Sequence, residues 1–351
     1  MTVSAAHGPA PESGTGLDSG PVLEPGPVPA SGPVLAPSAA RSTVWEPDGP
    51  YNLAGTIGSL QCGAFDPAFL KDQGAAWLAF RNDDGAATLR LEQRGSLRSA
   101  RIHATAWGPG AAAALQSVPT LLGADDDWSH FDSPGYQATL PEIARKGRYL
   151  NPGLRLPSTG RMLDAVVRVI LEQKVTGIEA KRAWRWLLTR HGDAAPQAPG
   201  APNGLRLPPT PAQWRRVPSW DWHRAGVDAH RSDTILKAVA MASGLERLAG
   251  VRSSADVTAA LRSVPGIGVW TAAEVLQRTH GCPDSISVGD YHLAAYVGAA
   301  LTGQRTDDAG MLQLLKPWAG DRQRVVRMLY ASGFRKPTYG PRLAPEDHRH
   351  R

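Results

Sequence analysis

An acidic residue in a loop of small side chains is the strongest candidate for chemistry in this sequence. Asp290 lies in the stretch Ser287-Val288-Gly289-Asp290-Tyr291, which leads into an apolar run. A carboxylate shielded from water can stabilise developing positive charge or deprotonate a water molecule. In this position it can equally accept hydrogen bonds from the first N–H groups of a helix beginning at Tyr291. The residue types alone leave both interpretations open.

A glycine-rich turn precedes this aspartate. Residues 264–269 have the sequence VPGIGV and separate two predicted helices, one ending near Arg262 and the next beginning near Val269. The two glycines permit a tight hairpin with backbone torsions closed to other residues. They also let a phosphate approach main-chain N–H groups at the positive end of the second helix. Many helix pairs use such a turn only to reverse direction, so its pairing with Asp290, 20 residues beyond Trp270, is the specific feature.

Composition excludes several other kinds of site. The chain of 351 residues has two cysteines, Cys62 and Cys282, in neither a CxxC pair nor a Cys/His cluster, so no metal site is predicted. No run approaches the ~18 apolar residues that a membrane span needs. The N-terminus lacks the basic and apolar segments of a secretory signal, so we expect a cytoplasmic protein without membrane contact.

The charge favours a polyanionic partner without requiring one. The net charge is +6, and residues 1–42 carry −2, so the remainder carries +8. A basic surface of this kind is typical of nucleic-acid binding. An ordinary soluble surface explains it equally well.

The first part of the chain predicts a tail and a small sheet. Residues 1–42 are dominated by Pro, Gly, Ala and Ser, and we expect a disordered tail. Residues 43–131 contain β-type runs at Trp77–Asn82 and Ala86–Gln93, joined by a DDG turn, and a further run at Leu97–Thr105. This pattern predicts an N-terminal antiparallel β-sheet domain.

The second part predicts an all-α domain over residues 132–342, followed by a basic C-terminal tail at 343–351, so that the expected fold class is α+β. The segment His191–Pro211 is rich in Ala, Pro and Gly and predicts an exposed loop. Apolar residues recur at helical spacing through Met162–Leu188, Ser232–Leu248, Asp256–Arg262 and Trp270–Arg278.

Hairpin, loop and aspartate together resemble the helix-hairpin-helix DNA glycosylases, and their 3-methyladenine DNA glycosylase II branch in particular. The likeness covers roughly Tyr51–Arg342 and implies a small sheet domain followed by a helix-hairpin-helix bundle. Further stretches that are similar to the branch, in its order, are Trp107–Ala111, Leu121–Asp127, Val166–Val175 and Pro317-Trp318 with Arg322 beyond.

The resemblance implies an enzyme of base-excision repair. Such enzymes flip a damaged base out of double-stranded DNA and hydrolyse its N-glycosidic bond. Asp290 is the implied catalytic residue. Bifunctional relatives carry a lysine two residues after the last glycine of the hairpin, where this chain has Trp270, which implies base release without strand cleavage. We expect a monomeric, nucleoid-associated enzyme that needs no cofactor, although hairpin carbonyls of this kind can hold a structural monovalent cation.

The resemblance also assigns a base pocket and a DNA surface. Trp270 is expected to form an aromatic wall, where cation–π contact with a positively charged alkylated purine contributes roughly 0.5 to 2 kcal/mol, unless it packs in the core. Glu274 replaces an aromatic residue of the branch and leaves the substrate range open. Trp222 and Tyr330 are further pocket candidates, with ordinary core packing as the alternative. DNA contacts are expected at Gly266, Ile267, Gly268, Thr271, Gln173, Lys174, Val175 and Arg322, with Lys174 in the place of an apolar wedge.

Three other hypotheses remain open at this point. A non-catalytic helix-hairpin-helix protein would bind DNA with Asp290 dispensable. A glycosylase for oxidised or deaminated bases would share the hairpin and the aspartate. A helical protein whose hairpin only packs would bind DNA without the steep loss that added salt causes in phosphate-dependent binding.

Overall fold

Residues 39–336 are described by a computed structural model, and within them a five-stranded antiparallel sheet precedes most of the helices. The strands are β1 (Arg41–Trp45), β2 (Phe69–Asp72), β3 (Ala75–Asn82), β4 (Gly85–Arg94) and β5 (Arg101–Trp107). Their order across the sheet is β1-β5-β4-β3-β2. The expected α+β fold class is confirmed.

The α-helices of the described chain are connected by loops and short 3-10 turns. They are α1 (Leu53–Ile57), α2 (Ala111–Gln116), α3 (Val118–Leu121), α4 (Pro134–Thr139), α5 (Glu142–Leu150), α6 (Met162–Leu171), α7 (Gly177–His191), α8 (Pro211–Arg215), α9 (Ser219–Arg224), α10 (Ala229–Ala240), α11 (Ala242–Arg247), α12 (Ser254–Arg262), α13 (Val269–Thr279), α14 (Leu293–Thr302), α15 (Asp308–Leu315) and α16 (Arg322–Ala331). None of the helices within residues 39–336 is long and apolar enough to cross a membrane.

The central hairpin of the sheet follows the sequence pattern closely. The predicted hairpin is present, but Asn82 pairs with Gly85, so the turn has two residues, Asp83 and Asp84, and the predicted third turn residue, Gly85, begins β4. The run predicted at Leu97–Thr105 is wrong in its first part, because Leu97–Ser99 forms a short 3-10 turn. Ser96 and Ser99 close a reciprocal capping box around that turn, which satisfies its N–H groups locally and delays the strand.

The structure describes only a small part of the two predicted tails. Arg41 and Ser42, the last two residues of the predicted tail, pair with Ala106 and Thr105 and so begin β1. The rest of the predicted N-terminal tail, up to residue 38, and the predicted basic tail at 343–351 lie outside the described residues. The domain boundary at residues 131 and 132 stays a prediction.

The predicted loop at 191–211 is not simply exposed, because part of it covers one face of the sheet. Leu205 and Leu207 are buried against Trp77 and Trp107, whose rings stack with centroids 5.7 Å apart. Thr88 in β4 donates a hydrogen bond of 2.7 Å to the carbonyl of Pro196. The loop therefore closes the sheet on the side opposite α1 and α2.

Helix α6 lies at the centre of the helical core. Eight of its ten residues are buried, and it packs against α10, α11 and α13. The helical pattern predicted from Met162 to Leu188 is interrupted after Leu171, because Thr176 begins a new helix in a capping box with Glu179. Glu246 accepts hydrogen bonds from the N–H groups of Met162 and Leu163 and so caps the start of α6.

Asp164 is the one acidic residue of α6, whose other residues are apolar except for Arg168. Burial raises the pKa of its carboxyl from 3.8 to about 6, with Arg161 opposing the rise and Glu246 adding to it. Because the folded protein holds this proton more tightly than the unfolded chain does, the carboxyl destabilises the fold increasingly as the pH rises from about 4 to about 6.

We predict that Asp164→Asn removes this loss and raises the free energy of unfolding at pH 7 by up to about 3 kcal/mol, with little change at pH 4. Urea unfolding at both pH values measures the effect, and Asp84→Asn in the exposed β3–β4 turn is the matched control. A variant with the same dependence of stability on pH as the wild-type protein contradicts the prediction.

Candidate active site

The hairpin between α12 and α13 is held by a glycine and a buried isoleucine. Gly266 has φ +97°, and a Cβ there would lie 2.4 Å from the hydroxyl oxygen of Thr234 on α10. Both the torsion and the close approach require glycine at this position. Ile267 is 5% exposed and anchors the turn in the core, so its predicted contact with DNA is restricted to the main chain.

Gly268 does not adopt the backbone torsion, closed to other residues, that the sequence predicts for both glycines of the hairpin. Its φ of −92° is open to any residue, so the predicted torsional requirement holds only at Gly266. A Cβ at Gly268 would meet nothing within 4 Å, and no side chain caps the start of α13. The first N–H groups of that helix therefore form a positive end that a ligand can approach closely.

Gln173 joins the hairpin to the α6–α7 turn. Its Nε2 donates to the carbonyl of Gly266 at 3.1 Å and to the hydroxyl of Thr271 at 2.9 Å. Thr271 is 2% exposed, so a contact between its side chain and DNA is wrong as a prediction. Lys174 is exposed at the tip of the turn with φ +53°, and Val175 beside it is half-buried. The predicted loop and the hairpin therefore form one surface.

Asp290 stands at the start of α14. Its Oδ1 accepts hydrogen bonds from the N–H groups of His292 and Leu293, each at 2.8 Å. The capping role considered for this residue is therefore present, with α14 beginning at Leu293 instead of Tyr291. One oxygen of the carboxylate is fixed, and the other is left for further contacts.

The second oxygen of Asp290 meets the indole of Trp270. Nε1 donates to Oδ2 at 3.3 Å, which links the start of α13 to the start of α14. Trp270 packs partly buried against the core around α6 and does not line the cavity beside Asp290. The aromatic wall expected at Trp270 stays a prediction, and in this structure the indole positions the carboxylate.

A cavity of about 230 Å³ opens beside Asp290. It lies between α13, α14 and α16, and the segment around Leu156 closes one side. The residues that line it are Ser59, Leu156, Pro157, Glu274, Gln277, Arg278, Cys282, Ser287, Asp290, Leu293, Gln323, Val326, Arg327 and Tyr330. Its volume is below the range of about 300 to 1,000 Å³ that is typical of sites for drug-sized ligands, so it suits one small ring system.

Glu274 lines this cavity but is already engaged. Its carboxylate pairs with Arg278, one turn on, and accepts a hydrogen bond from the hydroxyl of Ser287. Arg278 also reaches Glu172 at 3.4 Å, and the two carboxylates raise the pKa of its guanidinium against the effect of burial. Glu274 is therefore placed in the predicted pocket with its hydrogen bonds taken up inside the protein.

Tyr330 lies on the cavity wall as predicted. Its ring stacks on Tyr296 with centroids 4.3 Å apart and interplanar angle 14°. Burial raises the pKa of its phenol to about 12, and the nearby Asp290 carboxylate adds to the rise. The hydroxyl therefore keeps its proton at neutral pH and presents an uncharged aromatic face.

Two other predicted site residues lie elsewhere. Trp222 is 4% exposed in the core on α9, stacked on Trp214 with centroids 5.7 Å apart, so the pocket role is wrong and core packing explains the residue. Arg322 forms a bidentate pair with Asp284, with Nε 2.7 Å from Oδ1. Its guanidinium stabilises the start of α16 instead of being free for DNA.

Sequence reasoning missed several lining residues. Arg278 lies four residues after Glu274, a spacing that predicts an ion pair on one face of a helix. Arg327 lies three residues before Tyr330 on α16, so helical spacing alone places the two on one face. No pattern identifies Gln277, because its role depends on which helices surround the cavity.

The residues present give little support to a metal or cation here. Among residues 39–336 no group of three or more His, Cys, Asp or Glu side chains could hold a metal ion. In the hairpin the carbonyls of Val264 and Gly266 already accept hydrogen bonds from the Ile267 N–H and from Gln173.

Solved structures with a similar fold include DNA glycosylases. A 3-methyladenine DNA-glycosylase from Archaeoglobus fulgidus superposes with a TM-score of 0.68 at 16% identity, over 83% of this chain and 99% of that one. An 8-oxoguanine glycosylase/lyase from Clostridium acetobutylicum gives 0.63 at 10% identity, over 85% and 98%. Its complex with double-stranded DNA containing cytosine opposite 8-oxoG gives 0.59 at 10% identity, over 83% and 98%. No family model and no curated protein matches the chain. At these identities the likeness shows a shared fold.

We predict that Gly266→Ala lowers the free energy of unfolding by about 1 to 3 kcal/mol, because alanine is strained at φ +97° and meets the buried Thr234. Gly268→Ala is the matched control and should stay within about 0.5 kcal/mol of the wild-type protein. Urea unfolding compares the two variants. Equal stabilities would show that Gly266 is not constrained as described.

Proposed function

We propose that this chain is a DNA N-glycosylase that releases a damaged base by hydrolysis in base-excision repair. The observation that carries the proposal is the carboxylate of Asp290, which is fixed through Oδ1 at the start of α14 and lines a cavity of about 230 Å³. The shared fold supports it, since the similar solved structures named above are glycosylases.

In the proposed reaction Oδ2 of Asp290 faces the sugar, while Oδ1 stays bonded to the start of α14. Once a nucleotide is flipped into the cavity, the bond between C1′ and the base breaks and its electron pair leaves with the base. Positive charge develops on the sugar, and Oδ2 stabilises it from a fixed position. Water then adds to C1′, and the carboxylate takes up its proton. The Trp270 N–H on Oδ2 holds this oxygen in place.

The hairpin supplies a contact for the DNA backbone. The uncapped first turn of α13 and the bare Cα of Gly268 admit a phosphate to main-chain N–H groups. Such a contact positions a duplex without recognising its sequence. Lys174, exposed at the tip of the turn that Gln173 ties to the hairpin, is the proposed group that enters the duplex beside the flipped nucleotide.

An alkylated purine is the proposed lesion. The Archaeoglobus structure with this fold is described as a 3-methyladenine DNA-glycosylase. In place of Trp270, the aromatic group on the cavity wall is Tyr330, backed by Tyr296. A neutral phenol ring can stack on a purine and attracts a positively charged one by roughly 0.5 to 2 kcal/mol.

We predict that Asp290→Asn folds normally, since asparagine also begins helices well, but releases the base about a thousandfold more slowly. One charge pair at ~4 Å and an effective dielectric of ~20 amounts to about 4 kcal/mol, which corresponds to this factor. Single-turnover release from methylated duplex DNA measures it.

The matched control for this variant is Asp233→Asn on the exposed side of α10, which should keep full activity. If the wild-type protein and Asp290→Asn bind duplexes alike and neither releases a base from a panel of single lesions, the chain is a non-catalytic DNA-binding protein instead. Release from oxidised or deaminated lesions alone would select the other glycosylase hypothesis.

We further predict base release without strand cleavage. A lyase step needs an amine that attacks C1′ and forms a Schiff base, and none of the lining residues of the cavity is a lysine. Borohydride should trap no covalent protein–DNA adduct, and the abasic strand should break only after alkali or heat. A trapped adduct with the wild-type protein would contradict the proposal of a monofunctional enzyme.

A further inference from the structure

The polar groups of the cavity are mostly bonded to one another. Glu274 bonds to Arg278 and Ser287 as described above. Gln277 donates through Nε2 to the hydroxyl of Ser287 at 3.0 Å, and its Oε1 accepts from Gln323 at 2.9 Å. The carboxylate and amide oxygens keep lone pairs that can accept further hydrogen bonds, but most donors on these side chains are already in use. Nε of Arg278 lacks an acceptor among the described residues and is fully buried. Recognition of an acceptor on the base therefore depends on a donor that is both free and accessible.

Arg327 is the cation that remains free. It lines the cavity from α16, on the same face as Tyr330, and it is half-buried. Within residues 39–336 its guanidinium has neither a hydrogen bond nor an ion pair, whereas Arg278 beside the same cavity has both. Burial and the charge of Arg278 lower the pKa of Arg327. A hydrogen-bond acceptor in the cavity would therefore stabilise the charged guanidinium, which is partly withdrawn from water.

We propose that Arg327 recognises the acceptor edge of the flipped base, so that the site prefers 6-keto purines, the guanine and hypoxanthine skeletons, over 6-amino purines. The inference rests on the proposed glycosylase function. A guanidinium only donates hydrogen bonds. Guanine and hypoxanthine present O6 and N7 as two acceptors, whereas an adenine skeleton presents N7 beside an amino donor at position 6, so the guanidinium can make both hydrogen bonds only with a keto purine.

The position of Arg327 favours the flipped base, and not the DNA backbone, as its hydrogen-bond partner. It shares the cavity wall with Asp290 and Tyr330, while Gly266 and Gly268 of the phosphate-binding hairpin do not line this cavity. A group at this position therefore faces the ring of a flipped nucleotide.

The same contact assists bond cleavage. When the bond to C1′ breaks, its electron pair moves onto the base, and the negative charge spreads to O6 and N7 of a keto purine. The guanidinium of Arg327 stabilises this charge more strongly than it binds the neutral base, so it lowers the barrier as well as selecting the substrate. Water supplies oxygen to C1′, and its proton goes to Asp290 and from there to the base or solvent.

The test compares three lesions in single-turnover assays of the full chain. Arg327→Met keeps the length of the side chain and removes its donors. We expect release of hypoxanthine to fall about 10- to 100-fold, as for loss of a hydrogen bond to a charged group. Release of 7-methylguanine, whose N7 is blocked, should fall less, and release of 3-methyladenine should stay within about threefold of the wild-type rate.

A second variant distinguishes a change in base recognition from a general loss of activity caused by disruption of the site. Arg327→Gln supplies an amide that can both donate and accept, which suits the edge of an adenine skeleton. The ratio of 3-methyladenine to hypoxanthine release should therefore rise further than in Arg327→Met. Arg145→Met, at an exposed position on α5, is the matched control and should behave as the wild-type protein. Thermal unfolding confirms that each variant is folded.

Other outcomes overturn the inference. Equal losses on all three lesions, or no loss on hypoxanthine, would show that Arg327 does not select the base. Weaker binding of Arg327→Met to a duplex with an abasic site would assign the residue to the DNA backbone, because such a duplex has no base to recognise. No release of any base by the wild-type protein would overturn the proposed function, and this inference with it.

Discussion

The position of a single carboxylate governs the rest of the site. Asp290 is held by the N–H groups of His292 and Leu293 on one oxygen and by Trp270 on the other. The loop that carries it is fixed as well, because the N–H of Gly289 donates to Asp308 at 3.0 Å. Three helices, α13, α14 and α15, therefore set the place of one negative charge. A charge fixed in advance costs no reorganisation when a positive charge develops beside it, which is why this constraint matters for the proposed reaction.

The hairpin depends on a contact between helices that are distant in sequence. Gly266 lies against Thr234 of α10, and Gln173 from the end of α6 bonds to the same turn. The surface proposed to bind DNA is thus built on the central core and does not behave as a separate loop. Lys174, at the tip of the same turn, has a left-handed backbone conformation that a non-glycine residue adopts at a cost. The surrounding helix ends hold it there.

The polar groups on the cavity wall are largely bonded to one another, which bears on the proposed selectivity. Glu274, Ser287 and Gln277 share their hydrogen bonds, so they form a fixed wall. A buried hydrogen-bonded network is rigid, and breaking one bond of it is costly in a medium of low dielectric constant. The groups that can meet a base include the face of Tyr330, the guanidinium of Arg327 and the second oxygen of Asp290. Few free groups in a rigid cavity favour discrimination between similar ligands.

Much of the fold follows from local patterns. The β3–β4 hairpin was predicted from its turn and alternation, and helix α12 and helix α13 from their apolar spacing and the glycines between them. These features depend on neighbours within a few residues, where backbone preference and one buried face decide the outcome. Burial of the 191–211 segment could not be predicted in this way, since its few apolar residues find partners only on a sheet formed much earlier in the chain.

Residue types at short spacing predict the β3–β4 hairpin, the glycine turn and Asp290 as the residue of interest, whereas they do not predict β1 or β2. Which side chains meet depends on the tertiary structure. Trp270 and Trp222 have the composition of pocket residues, yet one bonds to the carboxylate and the other packs on Trp214 in the core. Arg327 has no distinctive sequence context, yet it faces the cavity without a partner among the described residues. The physical reason is that hydrogen bonding and burial depend on helices far apart in the chain, whose packing no local pattern specifies.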